Sequence, residues 1–289
     1  MAKRFKSRST KYVKEKIENC RSSNLNQYKT PRIDSTKKEK YRRKSKTNKL
    51  LKFILFVICL VVFIFSIVNL LRWFIYNKKS ESLIEEIVKN DFKETAEENI
   101  NTKTNPVNFE NLKELNEDVV GWIKIENTTI NYPIVQAEDN EYYLKNDLNK
   151  KYSTCGWIFM NFKNSIDFSD RNTTIFGHNM KSGLMFKDLL KIYDNELGND
   201  VTIQIYTENE KREYAVFSSY MIEPEEYATQ ILTTDEQQEE YISKILERST
   251  ITYNIVPNKN DKLITLSTCD NSGKNRVLIH GVYIGGESY

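Results

Sequence analysis

Residues Phe53 to Leu71 read FILFVICLVVFIFSIVNLL, and only Ser66 and Asn69 interrupt the apolar run. At about 1.5 Å of rise per residue, a helix of this length crosses the ~30 Å hydrocarbon core of a bilayer. An all-round apolar helix does not suit the half-buried surface of a soluble domain. Lys49 and Lys52 bound one end of the run, and Arg72, Lys78 and Lys79 the other, with Trp73 and Tyr76 where interfacial aromatics lie. A mostly polar tail of about fifty residues precedes the run and no small-x-small site follows it, so a retained anchor is expected rather than a cleaved signal peptide. Arg42, Arg43, Lys44, Lys46, Lys49 and Lys52 outweigh the basic residues on the far side. The expectation is a single-pass protein of the cell membrane, inserted through residues 53–71, with a cytoplasmic N-terminus and an extracellular C-terminal domain.

Charge divides along the same line. Residues 1–50 hold 18 Lys/Arg and 4 Asp/Glu, a net of +14, whereas the remainder holds 25 and 36, a net of −11. The two parts therefore face different surroundings. An acidic domain is a poor partner for nucleic acid, so none is expected. The basic tail, with sparse and unpatterned apolar residues, reads as disordered and topogenic, able to touch anionic headgroups. Four cysteines (Cys20, Cys59, Cys155, Cys269) and two histidines (His178, His280) show no zinc-ligand spacing. No metal or cofactor is expected, nor a disulfide scaffold.

Beyond the span the pattern changes twice. Leu83, Ile84, Ile87, Val88 and Phe92 recur at helical spacing. A polar stretch from Glu94 ends at Pro106, and Phe109, Leu112 and Leu115 suggest a short helix. From Gly121 the period becomes two: 121–125, 128–135, 201–206, 212–222, 263–268 and 276–284 read as strands. Many short strands with few helices predict a mainly β fold, a closed or nearly closed barrel. One strong helix, with Asp235 as its expected cap and Tyr241, Ile242, Ile245 and Leu246 as its apolar face, interrupts the strands. The domain plan is a basic tail (1–50), a membrane helix (51–76), a helix with linker (77–108) and a β domain (109–289).

Cys269 ends an apolar strand and precedes the turn-rich Asp270–Asn271–Ser272–Gly273. A thiol there is accessible for nucleophilic chemistry, while an ordinary buried Cys is the bland alternative. Cys155, read as standing at a strand start, is its competitor. Arg276 lies just past the turn; if its strand pairs with that of Cys269, the guanidinium stands beside the thiol and can hold a developing negative charge. His178 sits at a strand-to-loop junction, and His280 lies inside a strand at even spacing from Arg276. Position mildly favours His178 as an acid/base, but spacing does not decide between them.

Together these residues resemble the sortases, especially class B. TLSTC (265–269) matches the signature TLxTC ending in the nucleophilic Cys, GHN (177–179) fits the catalytic His, and Arg276 follows after a short loop. GWIKI, YPIVQ (132–136), DNEYYL (139–144), GWIFM and GLMF (183–186) follow in matching order over roughly 81–289.

The resemblance implies an eight-stranded sortase barrel with N-terminal helices and a helix inserted between strands six and seven. It implies Cys269 as nucleophile, His178 as acid/base and Arg276 as oxyanion and substrate stabiliser. Thr268 is implied near the oxyanion, and Ser267, Asp270, Asn140 and Leu144 along the groove. The implied function is a cysteine transpeptidase that cleaves a C-terminal sorting motif (x-P-x-T-[NGA] type) of surface proteins through a thioester. The implied acceptor is an amine of cell-wall peptidoglycan or its lipid-linked precursor. Two other functions are weighed against it: an extracellular cysteine peptidase that merely hydrolyses the thioester, and a non-catalytic surface adaptor on the same barrel.

Overall fold

The structure, a computed structural model, describes residues 35–93, 104–223 and 230–289, with side chains from Asn48 onward. The helices are α1 (Ser35–Asp91), α2 (Phe109–Leu115), α3 (Leu189–Tyr193) and α4 (Asp235–Arg248). The strands are β1 (Val119–Ile125), β2 (Asn131–Val135), β3 (Phe159–Met160), β4 (Asn172–Phe176), β5 (Thr202–Tyr206), β6 (Glu210–Ile222), β7 (Leu263–Cys269) and β8 (Arg276–Ser288). A 3-10 turn covers Tyr142–Leu144. Contacts divide the chain into two units, Met1–Asn69 and Leu70–Tyr289.

The apolar run lies within α1. Its most apolar 18-residue window has a mean hydropathy of 3.1 and no buried residue, so among the described residues there is one helix, N-terminal, long and apolar enough to cross a membrane. The helix is longer than the sequence pattern suggests. It starts at Ser35, inside the tail expected to be disordered, and continues through the residues expected to form a separate helix after the span. No Gly or Pro occurs between Ser35 and Asp91. Lys, Arg and Glu are good helix formers, and a nucleated helix elongates readily through them. The tail before Ser35 and most of the polar linker (94–103) lie outside the described residues.

In the second unit, the end of α1 packs on the β domain. Ile87 and Phe92 are buried, and Phe92 stacks on Trp122 of β1 with ring centroids 5.3 Å apart. The eight strands close a barrel in the order β1-β2-β3-β4-β7-β8-β6-β5. Two neighbouring pairs, β2–β3 and β4–β7, are parallel. Closure removes free strand edges and buries the inward faces. Ile123, Ile125, Ile203, Ile205, Ile264 and Leu266 belong to this main core.

A second apolar cluster explains the helix between β6 and β7. Tyr241, Ile242 and Ile245 of α4 cover Phe217 and Tyr220 of β6, Leu263 of β7, and Leu278 and Val282 of β8. The cap differs from the expectation: Thr234 is the N-cap, paired with Gln237 in a capping box, and Asp235 is already helical. Thr234 can accept from the N3 amide while Gln237 reaches back, satisfying two free donors at once. The two-residue β3 and five-residue α3 are too short to show a period in sequence.

Candidate active site

The site grows from three neighbouring strands. β4 runs parallel to β7, with Phe176 opposite Ser267, and Gly177 N–H donates to the Ser267 carbonyl at 3.1 Å. His178 follows at once, so it leaves the barrel beside the end of β7. β7 pairs antiparallel with β8, and Cys269 stands directly opposite Arg276. Antiparallel partners hold their Cβ atoms about 4.5–5.5 Å apart. The two side chains therefore leave neighbouring strands on the same face of the sheet. Cys269 is partly exposed and free. Arg276 is also partly exposed.

The connecting loops are fixed by polar contacts. Asn179 donates from Nδ2 to the Cys269 carbonyl at 3.0 Å, tying the histidine loop to the end of β7. Lys187 Nζ reaches Asn271 Oδ1 at 2.7 Å, a second tie to the β7–β8 turn. His178 Nε2 meets the Leu144 carbonyl at 2.9 Å, and as a carbonyl can only accept, this nitrogen carries the proton.

Asp270 organises the β7–β8 turn. Its carboxylate accepts from Ser272 Oγ and from the backbone N–H of Lys274 and Asn275. The Ser272 hydroxyl, and then the Asn275 and Lys274 amides, hold this carboxyl below its usual range. Asp270 thus shapes the turn that delivers Arg276. Asn140 plays a comparable part elsewhere: Nδ2 donates to Asn161 Oδ1 and Oδ1 accepts from Phe162 N–H. Ser267 and Thr268 are buried, and their hydroxyls have no partner among the described residues. Side chains alternate along a strand, so Ser267 shares the Cys269 face while Thr268 points to the other.

The two competitors from the sequence occupy different surroundings. His280 is fully buried opposite Thr265, whose hydroxyl lies 3.0 Å from Nδ1, and its ring stacks on Tyr220. Burial pushes its pKa down to about 3, so it is a neutral core residue under α4. Cys155 is not at a strand start. It occupies a turn ahead of β3, is fully buried, and directs its Sγ to Asn77 Oδ1 at 3.6 Å. The sequence signal missed Asn179 and the Leu144 carbonyl, the first because it is one polar loop residue among many, the second because a backbone group leaves no mark in sequence.

A family model described as the Sortase domain matches residues 123–284. Sortase B of Listeria monocytogenes is 34% identical over 232 residues, covering 78% of this chain and 93% of that protein. Sortase B of Staphylococcus aureus is 30% identical over 167 residues, covering 57% and 68% respectively. Among solved structures, sortase B from B. anthracis in complex with AAEK1 has a TM-score of 0.63 at 30% identity, covering 73% of this chain and 99% of that one. The chain belongs to the sortase family. Its relatives and its barrel make it a class B sortase, a cysteine transpeptidase, and sortases act on surface proteins that carry a sorting motif.

Proposed function

We propose that Cys269 is the nucleophile, His178 the acid/base and Arg276 the oxyanion and substrate stabiliser of this transpeptidase. The observation that carries the reading is the register of β4, β7 and β8, with Cys269 opposite Arg276 and Asn179 bonded to the Cys269 carbonyl. The substrate is a C-terminal sorting motif of the x-P-x-T-[NGA] type. The Cys269 sulfur, as thiolate, attacks the threonine carbonyl carbon, and the oxygen gains negative charge beside Arg276. The C–N bond breaks as His178, carrying a proton on each ring nitrogen while Cys269 is a thiolate, gives the one on Nδ1 to the departing amine and keeps the one on Nε2, leaving a thioester; such acid help is typically worth ~10²–10⁴ in rate. An amine of peptidoglycan or its lipid-linked precursor then attacks the thioester, returns a proton to His178 and releases the thiolate. Ser267, on the Cys269 face, lines the substrate groove with Leu144 and Asn140, and Thr268 contributes through its main chain.

Helix α1 holds the protein in the cell membrane. The excess of Lys and Arg before the span sets the N-terminus in the cytoplasm and the β domain outside.

The test is peptide cleavage by the full chain with and without an amine acceptor, followed by product analysis. Cys269→Ala and His178→Ala are expected to lose nearly all activity, and the wild type to yield an amine adduct. Hydrolysis alone at saturating acceptor would make the protein a peptidase, and unchanged cleavage by Cys269→Ala would end the nucleophile assignment.

A further inference from the structure

One edge of the His178 ring is walled. Its Nε2 meets the Leu144 carbonyl at 2.9 Å, and a Cβ built on Gly156 would stand 3.0 Å from its Cδ2. Both contacts fall on the Nε2–Cδ2 edge, and Nδ1 has no hydrogen-bond partner among the described residues. The wall has a layer behind it. Cys155, next to Gly156, is fully buried and donates from Sγ to Asn77 Oδ1 at 3.6 Å. Ser153 Oγ lies 3.5 Å from Ser80 Oγ, and Tyr152 meets Tyr76 edge-on with centroids 6.4 Å apart.

Asn77 and Ser80 are buried although Lys78 and Lys79 between them are exposed. Residues three apart share a helix face, so α1 presents one small polar stripe to the segment 152–156. A stripe that served docking alone would be better built from apolar residues, since a buried polar group costs stability unless it is bonded. This stripe instead turns Asn77 Oδ1 and Ser80 Oγ to the turn that backs the imidazole, while Asn77 Nδ2 is buried without a partner among the described residues.

We propose that Asn77 and Cys155 are positioning residues for His178. The end of the helix that carries the candidate membrane span holds the 153–156 turn, and that turn fixes the ring with its proton on Nε2 and with Nδ1 turned to the reaction. The inference rests on His178 being the acid/base. A sideways shift of the turn would move the ring or free it to change tautomer, and a misplacement near 1 Å can cost ~10² in rate.

The test uses the full chain in detergent micelles and a quenched peptide selected by cleavage from an x-P-x-T-[NGA] library. It reads kcat, KM, the pH profile of kcat/KM, and the ring 15N shifts of His178, assigned by their loss in His178→Gln. With only two histidines in the chain, the ring spectrum is simple. Asn77→Ala and Cys155→Ala are expected to lower kcat about tenfold or more, towards ~10², with KM little changed. They should also displace the pH profile and mix the His178 tautomers. Cys155→Ser keeps the donor and should restore all three. Folded alanine variants with wild-type kcat, pH profile and an Nε2–H tautomer overturn the proposal, as does a serine variant no better than alanine. Should the alanine variants fail to fold, Ser80→Ala replaces them, with the same changes supporting and wild-type behaviour overturning. An active His178→Gln enzyme would instead sink the acid/base reading, a different result from an enzyme that needs His178 and ignores Asn77.

Discussion

The side-chain amide of Asn179 donates to the main-chain carbonyl of Cys269 at 3.0 Å. The parallel ladder between β4 and β7 stops at Phe176 and Ser267, and this bond continues the attachment where the ladder ends. It sets the spacing between the histidine loop and the strand that carries the thiol.

Asn179→Ala should therefore lower kcat more than it lowers stability. A lost hydrogen bond of this kind costs ~1 kcal/mol of folding free energy, whereas a loosened acid/base can cost ~10–10² in rate. Urea unfolding alongside steady-state kinetics checks this. A folded variant with wild-type kcat would show that the bond does not set the geometry.

Arg276 should not be replaceable by lysine. The guanidinium offers a planar fork of donors, whereas an ammonium is a compact point charge on a flexible stem. Both Arg276→Lys and Arg276→Ala are expected to lose ~10²–10³ in kcat/KM, in line with the removal of an oxyanion donor. Kinetics with the selected peptide decides it; near-full activity of the lysine variant would mean that only the charge matters.

Gly156 stands at φ +56, and a Cβ there would meet the Tyr143 carbonyl at 2.5 Å and the Leu144 carbonyl at 2.9 Å. Gly156→Ala should lower stability by the ~1–2 kcal/mol of a left-handed L-residue plus the clash, and reduce kcat as the Leu144 carbonyl moves from His178. Gly183→Ala is the control, because its φ is also positive (+89) but nothing lies within 4 Å of its Cβ position. Thermal melts and kinetics on both variants separate backbone strain from displacement of the 3-10 turn.

His280 should leave its mark on acid stability. Its folded pKa, lowered to about 3 by burial, lies below the ordinary 6.5. Between those values the unfolded chain binds a proton that the folded chain refuses. Its contribution is thus fully present above pH ~6.5 and is lost as pH falls towards about 3, at no more than ~1.4 kcal/mol per pH unit. Urea midpoints from pH 7 to 4 should fall less steeply in His280→Gln than in the wild type. Parallel curves would show that the imidazole is not kept neutral by the fold.

Much of the architecture was legible because periods survive in sequence. The apolar run, the alternation in β5 to β8 and the apolar face of α4 each follow from local spacing. Thr234 as a cap, the two-residue β3 and the full length of α1 were not legible. The first depends on which of two adjacent polar residues leaves the helix, and the others on neighbours that override or extend local preference. Cys269, Arg276 and His178 could be proposed from motif and resemblance. His280 was separated from His178 only by its burial under Tyr220 and Tyr241.

The sequence by itself determined the membrane-length helix, the acidic β domain and the short turn between the last two strands, because hydropathy, charge and turn composition are properties of neighbours in the chain. Only the tertiary structure decided that Asn179 reaches Cys269, that the Leu144 carbonyl meets His178, and that Asn77 lies behind Cys155. Those contacts join distant segments through barrel closure and helix docking, and no local pattern encodes a distance that the whole fold must fix.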